Sequence, residues 1–212
     1  MFGSLFFSAI RFEDSESRNE FRPLPLLSNP HLQTLLGHWL SGPAFAYPSR
    51  SEIVPLPDGD CLVLHDSAPE NWRDGESIVV LVHGLTGSHA SAVVQRTANL
   101  LLPEGLRVVR VDLRGTGASL PLSRGTYHGG CSQDLRVGLE AVHRWSPQSP
   151  IILVGFSLGG NIVLKLGGGR PIIPFLAWLA SLPWRRPWIL SAAVLYCRSR
   201  KTGSMNSFSC AT

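Results

Sequence analysis

The stretch Gly155-Phe156-Ser157-Leu158-Gly159 indicates the fold more clearly than any other part of the chain. It follows the apolar run Ile151-Ile152-Leu153-Val154 and precedes a helix-like segment that continues to Leu166. A G-x-S-x-G sequence between a strand and a helix forms a tight turn, the nucleophile elbow, here residues 155–159, that holds the serine hydroxyl out at the top of a sheet. The pattern predicts that Ser157 is a nucleophile. The alternative is a glycine-rich turn in which the serine is incidental.

The chain after Ser157 lacks the partners that such a serine needs. In this architecture the acid and the histidine come later in the chain than the serine. No Asp, Glu or His occurs after Ser157. The sequence therefore predicts a nucleophile position without the proton relay that would activate it.

The net charge of the chain comes from its C-terminal part. The 212 residues, enough for one sizeable core, carry a formal charge of +4. Up to Ser157 there are 12 Lys and Arg against 15 Asp and Glu, whereas beyond it there are seven Lys and Arg and no acid. Nucleic-acid binding requires basic residues interleaved with aromatic ones on an organised face. This tail does not offer that pattern, and we expect no nucleic-acid partner.

The cysteines and the apolar segments bear on the location of the protein. The four cysteines have no metal-binding spacing, which favours a reduced, cytoplasmic setting. Residues 1–10 are apolar but lack the cationic start and the cleavage site of a secretory signal, so we expect at most a weak contact with a membrane surface. Residues 172–196 are interrupted by proline and arginine and predict no transmembrane helix.

The order of predicted elements favours a mostly parallel, doubly wound α/β sheet. Residues 53–56 and 61–64 flank Pro57-Asp58-Gly59-Asp60, a pattern typical of a β-hairpin. The elements predicted after it are a strand at 77–82, a helix at 90–102, a strand at 107–111, a helix at 132–145 with Ser132 as N-cap, and the strand at 151–154. Strands that alternate with helices after an opening hairpin indicate helices on both faces of one sheet.

The segment His83-Gly84-Leu85-Thr86-Gly87 follows the strand at 77–82. The tetrahedral intermediate of ester hydrolysis requires two N–H donors directed at its oxyanion. One comes from the residue after the nucleophile, Leu158, and the other from the loop after an earlier strand, which is Leu85 here. The side chain of His83 has either a catalytic role or a buried structural role, and we expect the structural one.

Two further motifs lie between these segments. Asp112-Leu113-Arg114-Gly115-Thr116-Gly117-Ala118-Ser119 does not have the spacing of a phosphate-binding loop. We expect it to be scaffold beside the site, fixed by charged hydrogen bonds of Asp112 or Arg114. His128, in Tyr127-His128-Gly129-Gly130, is either a general base or a loop-packing residue, and we expect packing.

Together these motifs resemble the YheT-like branch of the α/β-hydrolases. The resemblance covers about residues 25–167 and includes Asn29-Pro30-His31-Leu32-Gln33-Thr34, a hexapeptide that marks this branch. It implies an α/β-hydrolase fold and hydrolysis of carboxylic esters, with short- to medium-chain acyl esters or lipids as substrates and no metal or organic cofactor. Ser157 matches the nucleophile of the family, and no residue matches its Asp or His. The alternative is a catalytically inactive truncated product, a pseudoenzyme that serves as a binding module.

The sequence divides into three parts in this interpretation. Residues 1–50 are a Pro-rich segment with the family hexapeptide, residues 51–168 are the N-terminal portion of the hydrolase core, and residues 169–212 are an aberrant tail. A shift of reading frame explains the tail. If each shifted codon takes the third base of one residue's codon and the first two bases of the next, acidic residues return. The codon pair for Trp188-Ile189 must then encode Asp, and the pair for Met205-Asn206 must encode Glu. The alternative is a naturally divergent terminus.

A chain that departs from the family after the elbow helix loses the strands beyond residues 151–154. We therefore expect an open edge on that strand and a poorly soluble or partly folded protein with esterase activity near background.

Overall fold

The computed structural model describes Asn29, residues 44–168, and the backbone of residues 192–199 and 208–209. Apart from Asn29, these residues all belong to one compact unit, Gly42–Thr212. Within the described part, no helix is long and apolar enough to cross a membrane. The expectations about residues 1–10, the family hexapeptide beyond Asn29 and residues 172–191 concern residues outside the described part.

The described part begins with an antiparallel strand pair. Strand β1 (Arg50–Pro55) pairs with β2 (Cys61–Ser67), and Pro55 lies opposite Cys61. The connecting turn contains Gly59, whose φ of 89° is a conformation that residues with a side chain rarely adopt. The predicted hairpin with an Asp-Gly turn is therefore confirmed.

Three parallel strands form the centre of the sheet. They are β3 (Ile78–Val82), β4 (Arg107–Asp112) and β5 (Ile151–Phe156), and β3 lies between the other two. All five residues of β3 are buried, as expected for a strand covered on both faces. The carboxyl ends of these strands meet at one edge, and the segments that follow them carry the predicted site residues.

Helices cover both faces of this sheet. Helix α1 (Ala92–Leu101) packs on the face that includes Val79 and Leu81. Helices α2 (Ser132–Trp145) and α3 (Leu158–Leu166) pack on the opposite face. The predicted α/β class and doubly wound arrangement are confirmed by this architecture.

The start of α2 differs from the prediction by one residue. Ser132 is the first helical residue, and Cys131 occupies the N-cap position without a side-chain hydrogen bond to the helix. The prediction of Ser132 as N-cap was wrong because Ser132 already belongs to the first turn. Its backbone N–H donates instead to the carbonyl of Gly130 at 2.8 Å.

The far side of β5 is paired, contrary to the expectation of an open edge. Strand β6 (Ala192–Ser199) runs antiparallel to β5, with Ala192 opposite Phe156 and Cys197 opposite Ile151. The short strand β7 (Phe208–Ser209) pairs with β6 and completes the order β1-β2-β4-β3-β5-β6-β7. In the run Ala-Ala-Val-Leu-Tyr-Cys of β6, only Val194 and Tyr196 belong to the residue types that favour strands. The argument for a partly folded chain therefore loses its structural basis.

Candidate active site

Ser157 lies at the junction of β5 and α3 in a strained backbone conformation. Its φ of 50° and ψ of −118° are values that glycine adopts far more readily than serine. The residue is exposed, and its hydroxyl has no hydrogen-bond partner among the residues that the structure describes. The sequence interpretation placed this hydroxyl at the top of the sheet, and the strand, the turn and the helix are all present.

The two glycines of the motif permit this sharp turn. A Cβ on Gly155 would collide with the backbone of Gly159, one turn into the helix. A Cβ on Gly159 would lie 2.6 Å from the carbonyl oxygen of Val82, at the end of β3. The glycines therefore let α3 approach both β3 and β5 directly, which fixes the position of Ser157 relative to the loop after β3.

The loop after β3 packs directly against the elbow. A Cβ on Gly84 would lie 3.1 Å from the carbonyl oxygen of Phe156 and 3.2 Å from the Cβ of Ser157. The next residue, Leu85, has 67% of its surface exposed. Leu158 is the first residue of α3, where backbone N–H groups have no acceptor within the helix. The fold thus brings the segments that carry Leu85 and Leu158 to Ser157, and the role of their amides stays a prediction.

His83 is a buried structural residue, as expected. It is fully buried, and burial lowers the pKa of its imidazole below the ordinary value, so the ring is neutral near pH 7. Its Nδ1 lies 2.8 Å from the carbonyl oxygen of Gly84, which makes Nδ1 the protonated nitrogen. Nε2 then accepts from the backbone N–H of Leu113 at 3.4 Å and lies 3.0 Å from the hydroxyl oxygen of Thr116, whose proton goes to the carbonyl of Leu113. His83 therefore links the loop after β4 to the loop beside Ser157.

Arg114 fixes the loop after β4, in agreement with the sequence interpretation. Its guanidinium donates to both carboxylate oxygens of Asp134, at 2.6 and 2.8 Å, and to Asp58 at 2.6 Å. The hydrogen bonds with Asp134 raise the pKa of Arg114 above its ordinary value. Since Asp134 lies in α2 and Asp58 in the hairpin turn, this side chain connects three parts of the fold.

A cluster formed by the buried His65 and Asp112 and the half-buried His89 was not predicted from the sequence. His65 Nε2 and His89 Nδ1 lie 2.9 and 2.7 Å from the same oxygen, Asp112 Oδ2. Asp112 also accepts from the backbone N–H groups of His89, at 2.6 Å, and Ala118, at 2.8 Å. Burial alone would raise the pKa of Asp112, but these hydrogen bonds outweigh it and hold the pKa well below its usual range.

The same three side chains offer donor atoms of the kind that bind transition metals, all within 4.8 Å of one another. The imidazole rings of His65 and His89, however, stack 3.6 Å apart at an interplanar angle of 22°. Both ring nitrogens nevertheless point at one common acceptor, Asp112 Oδ2, at 2.9 and 2.7 Å. The described contacts form a hydrogen-bond network that holds the end of β4.

The segment that contains Tyr127 and His128 lies close to the same edge. The hydroxyl of Tyr127 donates to the carbonyl of Gly84 at 2.8 Å, and its ring meets that of His83 edge-on at 5.3 Å. His128 is exposed, and its Nδ1 accepts from the backbone N–H of Gly130 at 3.0 Å. A neutral His128 therefore carries its proton on Nε2, which fits the expected packing role better than that of a general base.

Comparisons with known proteins agree with this geometry. Residues 77–169 match the family described as alpha/beta hydrolase fold. The chain is 30% identical over 160 residues to the Escherichia coli protein named "Putative esterase YheT", an alignment that covers 74% of this chain and 47% of YheT. It is 27% identical over 157 residues to the human protein named phospholipase ABHD3, covering 66% of this chain and 36% of the relative.

A solved structure with a similar fold is XC6422 from Xanthomonas campestris, described as an α/β serine hydrolase without a lid. It shares 28% identity and a TM-score of 0.50 with this chain, covering 60% of this chain and 59% of its own. The chain spans about half the length, or less, of the curated relatives named above. The resemblance drawn from the motifs is confirmed: the chain has the α/β-hydrolase fold, its residues 77–169 match that family, and it is similar to YheT.

Proposed function

We propose that Ser157 is the nucleophile of a hydrolase that acts on carboxylic esters. The observation that carries this proposal is an exposed serine, in a strained strand-to-helix turn, with the loop after β3 packed against its Cβ. A strained backbone that persists at one exposed polar residue is common at catalytic sites. The similarity to proteins named as an esterase and a phospholipase supports the same reaction class.

In the proposed reaction the Ser157 hydroxyl attacks the ester carbonyl and the carbonyl oxygen becomes an oxyanion. The amides of Leu85 and Leu158 donate hydrogen bonds to that oxyanion, and each such donor contributes about 10²–10³ in rate. Collapse of the intermediate expels the alcohol and leaves an acyl-serine, which water then hydrolyses. Neither step requires a metal or an organic cofactor.

The proton of Ser157 must be taken up by a histidine that an acidic side chain orients. The sequence contains no His, Asp or Glu after Ser157, and none of the described histidines hydrogen-bonds its hydroxyl. The alternative function is therefore a binding module that retains the pocket without the relay. The exposed Ser157, without a described partner, is the observation that favours it.

The proposed substrates are short- to medium-chain acyl esters or lipids. The exposed Leu85 places an apolar surface beside the elbow, which suits an acyl chain better than a charged group. A weak contact of residues 1–10 with a membrane surface is part of the same proposal, since a lipid substrate would be presented there.

The tail from residue 169 to residue 212 is proposed to arise from a shift of reading frame in the coding DNA. Sequencing from codon 160 past the stop tests this directly. The expected result is a shifted frame that encodes an Asp and a later His in hydrolase-like context. A shifted frame without them contradicts the proposal and favours a divergent terminus.

A fluorophosphonate probe with mass-spectrometric site mapping tests the function. We expect slow labelling at Ser157 and none in Ser157→Ala. The matched control Ser123→Ala should label at the same rate as the unchanged chain, because the Ser123 hydroxyl contacts Cys61 away from the elbow. A frame-restored chain should label at Ser157 much faster and turn over a p-nitrophenyl ester. Labelling of another serine in the restored chain would show that the nucleophile is assigned wrongly.

A further inference from the structure

The carbonyl oxygen of Gly84 is hydrogen-bonded by three donors. The Tyr127 hydroxyl and the protonated Nδ1 of His83 each lie 2.8 Å from it, and the backbone N–H of Gly87 lies at 3.1 Å. A carbonyl oxygen has two lone pairs, so three donors on one carbonyl exceed the usual number. The position of this one carbonyl is thus strongly determined.

That carbonyl belongs to the same peptide group as the N–H of Leu85. A trans peptide group is planar, and its C=O and N–H point in opposite directions. No cis peptide bond occurs in the described part of the chain. Whatever fixes the Gly84 carbonyl therefore also fixes the direction of the Leu85 N–H, on the opposite side of the peptide.

The surrounding loop needs such an anchor. Thr86 has a φ of 57°, a left-handed conformation that costs free energy in a residue with a branched side chain. Leu85 and Thr86 are both exposed and have no core contacts to hold them. Gly84 contacts the elbow backbone but carries no side chain. The hydrogen bonds at its carbonyl therefore act together with that contact to hold this peptide in place.

Tyr127 is the donor that comes from outside the loop. It is 43 residues from Gly84 in the chain, and its ring is held edge-on against the buried His83. Burial raises the pKa of the Tyr127 phenol above its ordinary value, so the hydroxyl keeps its proton at neutral and mildly alkaline pH. The segment around it also contacts the elbow helix, since a Cβ on Gly129 would lie 3.2 Å from the Leu158 side chain.

We infer that Tyr127 is a positioning residue for the oxyanion hole: its hydroxyl fixes the Gly84–Leu85 peptide and thereby aims the Leu85 N–H at the reacting carbonyl oxygen. This inference rests on the proposed function of Ser157. Tyr127 contacts no reacting atom in the proposed reaction. It acts by fixing the orientation of the Gly84–Leu85 peptide group.

Tyr127→Phe tests the inference, because it removes one hydroxyl and keeps the ring against His83. The matched control is Tyr47→Phe, which removes the hydroxyl of another partly buried tyrosine that contacts Phe45 rather than the loop. The rate of fluorophosphonate labelling at Ser157 is measured as a function of probe concentration, which separates the limiting rate from the binding constant. Hydrogen exchange of a peptide covering residues 83–91 is measured on the untreated proteins.

Misaiming one oxyanion donor should cost less than removing it, so we expect Tyr127→Phe to lower the limiting labelling rate about tenfold. The binding constant of the probe should stay within about twofold, because the donor acts on the transition state. Exchange in residues 83–91 should become faster, most of all at the Gly87 amide. Tyr47→Phe should match the wild-type chain in all three measurements.

A limiting rate for Tyr127→Phe equal to that of wild type overturns the inference, even if exchange becomes faster, because Tyr127 then has only a structural role. Unchanged exchange also overturns it. Labelling that survives Ser157→Ala overturns the proposed function and the inference with it. Labelling that requires Ser157 but ignores Tyr127→Phe overturns the inference alone.

Discussion

Ser157 and Asp112 both lie where a parallel strand ends, yet their surroundings are opposite. Ser157 is exposed, strained and without a hydrogen-bond partner among the described residues. Asp112 is fully buried and accepts hydrogen bonds from two imidazoles and two backbone amides. The fold thus leaves the hydroxyl of the proposed nucleophile without a described partner and saturates the carboxylate that holds the neighbouring loop. We therefore expect Asp112→Ala to lower the free energy of unfolding and Ser157→Gly to raise it.

The largest effect is expected from Asp112→Ala. The substitution leaves His65 and His89 without their shared acceptor in a buried site, and should lower the free energy of unfolding by about 3–5 kcal/mol. Urea denaturation followed by circular dichroism measures this loss. Glu104→Ala, at an exposed acid on the loop before β4, is the control and should change the free energy by less than about 0.5 kcal/mol. A loss for Asp112→Ala as small as that of the control would remove the contrast.

A smaller loss is expected from Gly84→Ala, at the contact between the loop and the elbow. The added Cβ would press on the Phe156 carbonyl and on Ser157, and overpacking of this kind costs about 1–3 kcal/mol. Labelling of Ser157 should slow at the same time, because the Leu85 amide moves with Gly84. Gly129→Ala is the matched control, since its Cβ would meet only the flexible end of the Leu158 side chain. Equal effects of the two substitutions would show that the loop is not fixed by this contact.

The supporting network should also respond to pH through His83. Burial lowers the pKa of His83, so the unfolded chain binds this proton more readily than the folded chain below about pH 6.5. The contribution of neutral His83 to the free energy of unfolding is complete above that pH. It is lost as the pH falls towards the lowered pKa of His83. The slope is at most about 1.4 kcal/mol per pH unit for one proton.

Urea denaturation between pH 8 and pH 5 measures that slope. His83→Asn should reduce it, whereas His128→Asn, at an exposed histidine, should leave it unchanged. A slope that survives His83→Asn in full would assign the pH dependence to other groups.

The smallest effect should come from relief of strain at the elbow. Ser157→Gly should raise the free energy of unfolding by about 1 kcal/mol, because glycine adopts the observed φ of 50° without a side-chain clash. Ser157→Ala keeps the strain and should leave stability nearly unchanged. Both variants abolish labelling. Equal stability of the two variants would mean that the turn stores no strain.

The local signals of the sequence predicted much of the fold. The hairpin around Gly59, strands β3 to β5, the helices and the elbow all follow from turn chemistry and from runs of apolar residues. Strand β6 was not predicted, because only Val194 and Tyr196 in the run from Ala192 to Cys197 favour strands and prolines interrupt the sequence before it.

The site was predicted only where its residues are close in the chain. Ser157 and Leu158 lie in one motif, and His83 and Leu85 in another. The cluster of His65, His89 and Asp112 depends on β2 pairing antiparallel with β4, which places Val63 opposite Asp112. The sequence contains no signal for that pairing, because β3 lies between β2 and β4 in chain order. The hydrogen bond from Tyr127 to Gly84 was not predicted either, because the two residues are 43 positions apart in the chain.

The direction of β6 determines where the chain travels after it leaves the sheet. A strand parallel to β5 would end beside Ser157 and release its next residues at the elbow. Because β6 starts opposite Phe156 and has Cys197 opposite Ile151, it carries the chain away from the serine to the other edge. That distance is about 20 Å for a strand of six paired residues. A histidine placed after β6 would have to return along the full height of the sheet. A redesign that supplies the proposed relay should therefore replace this strand with a helical crossover into a parallel one, which would deliver the following loop to Ser157.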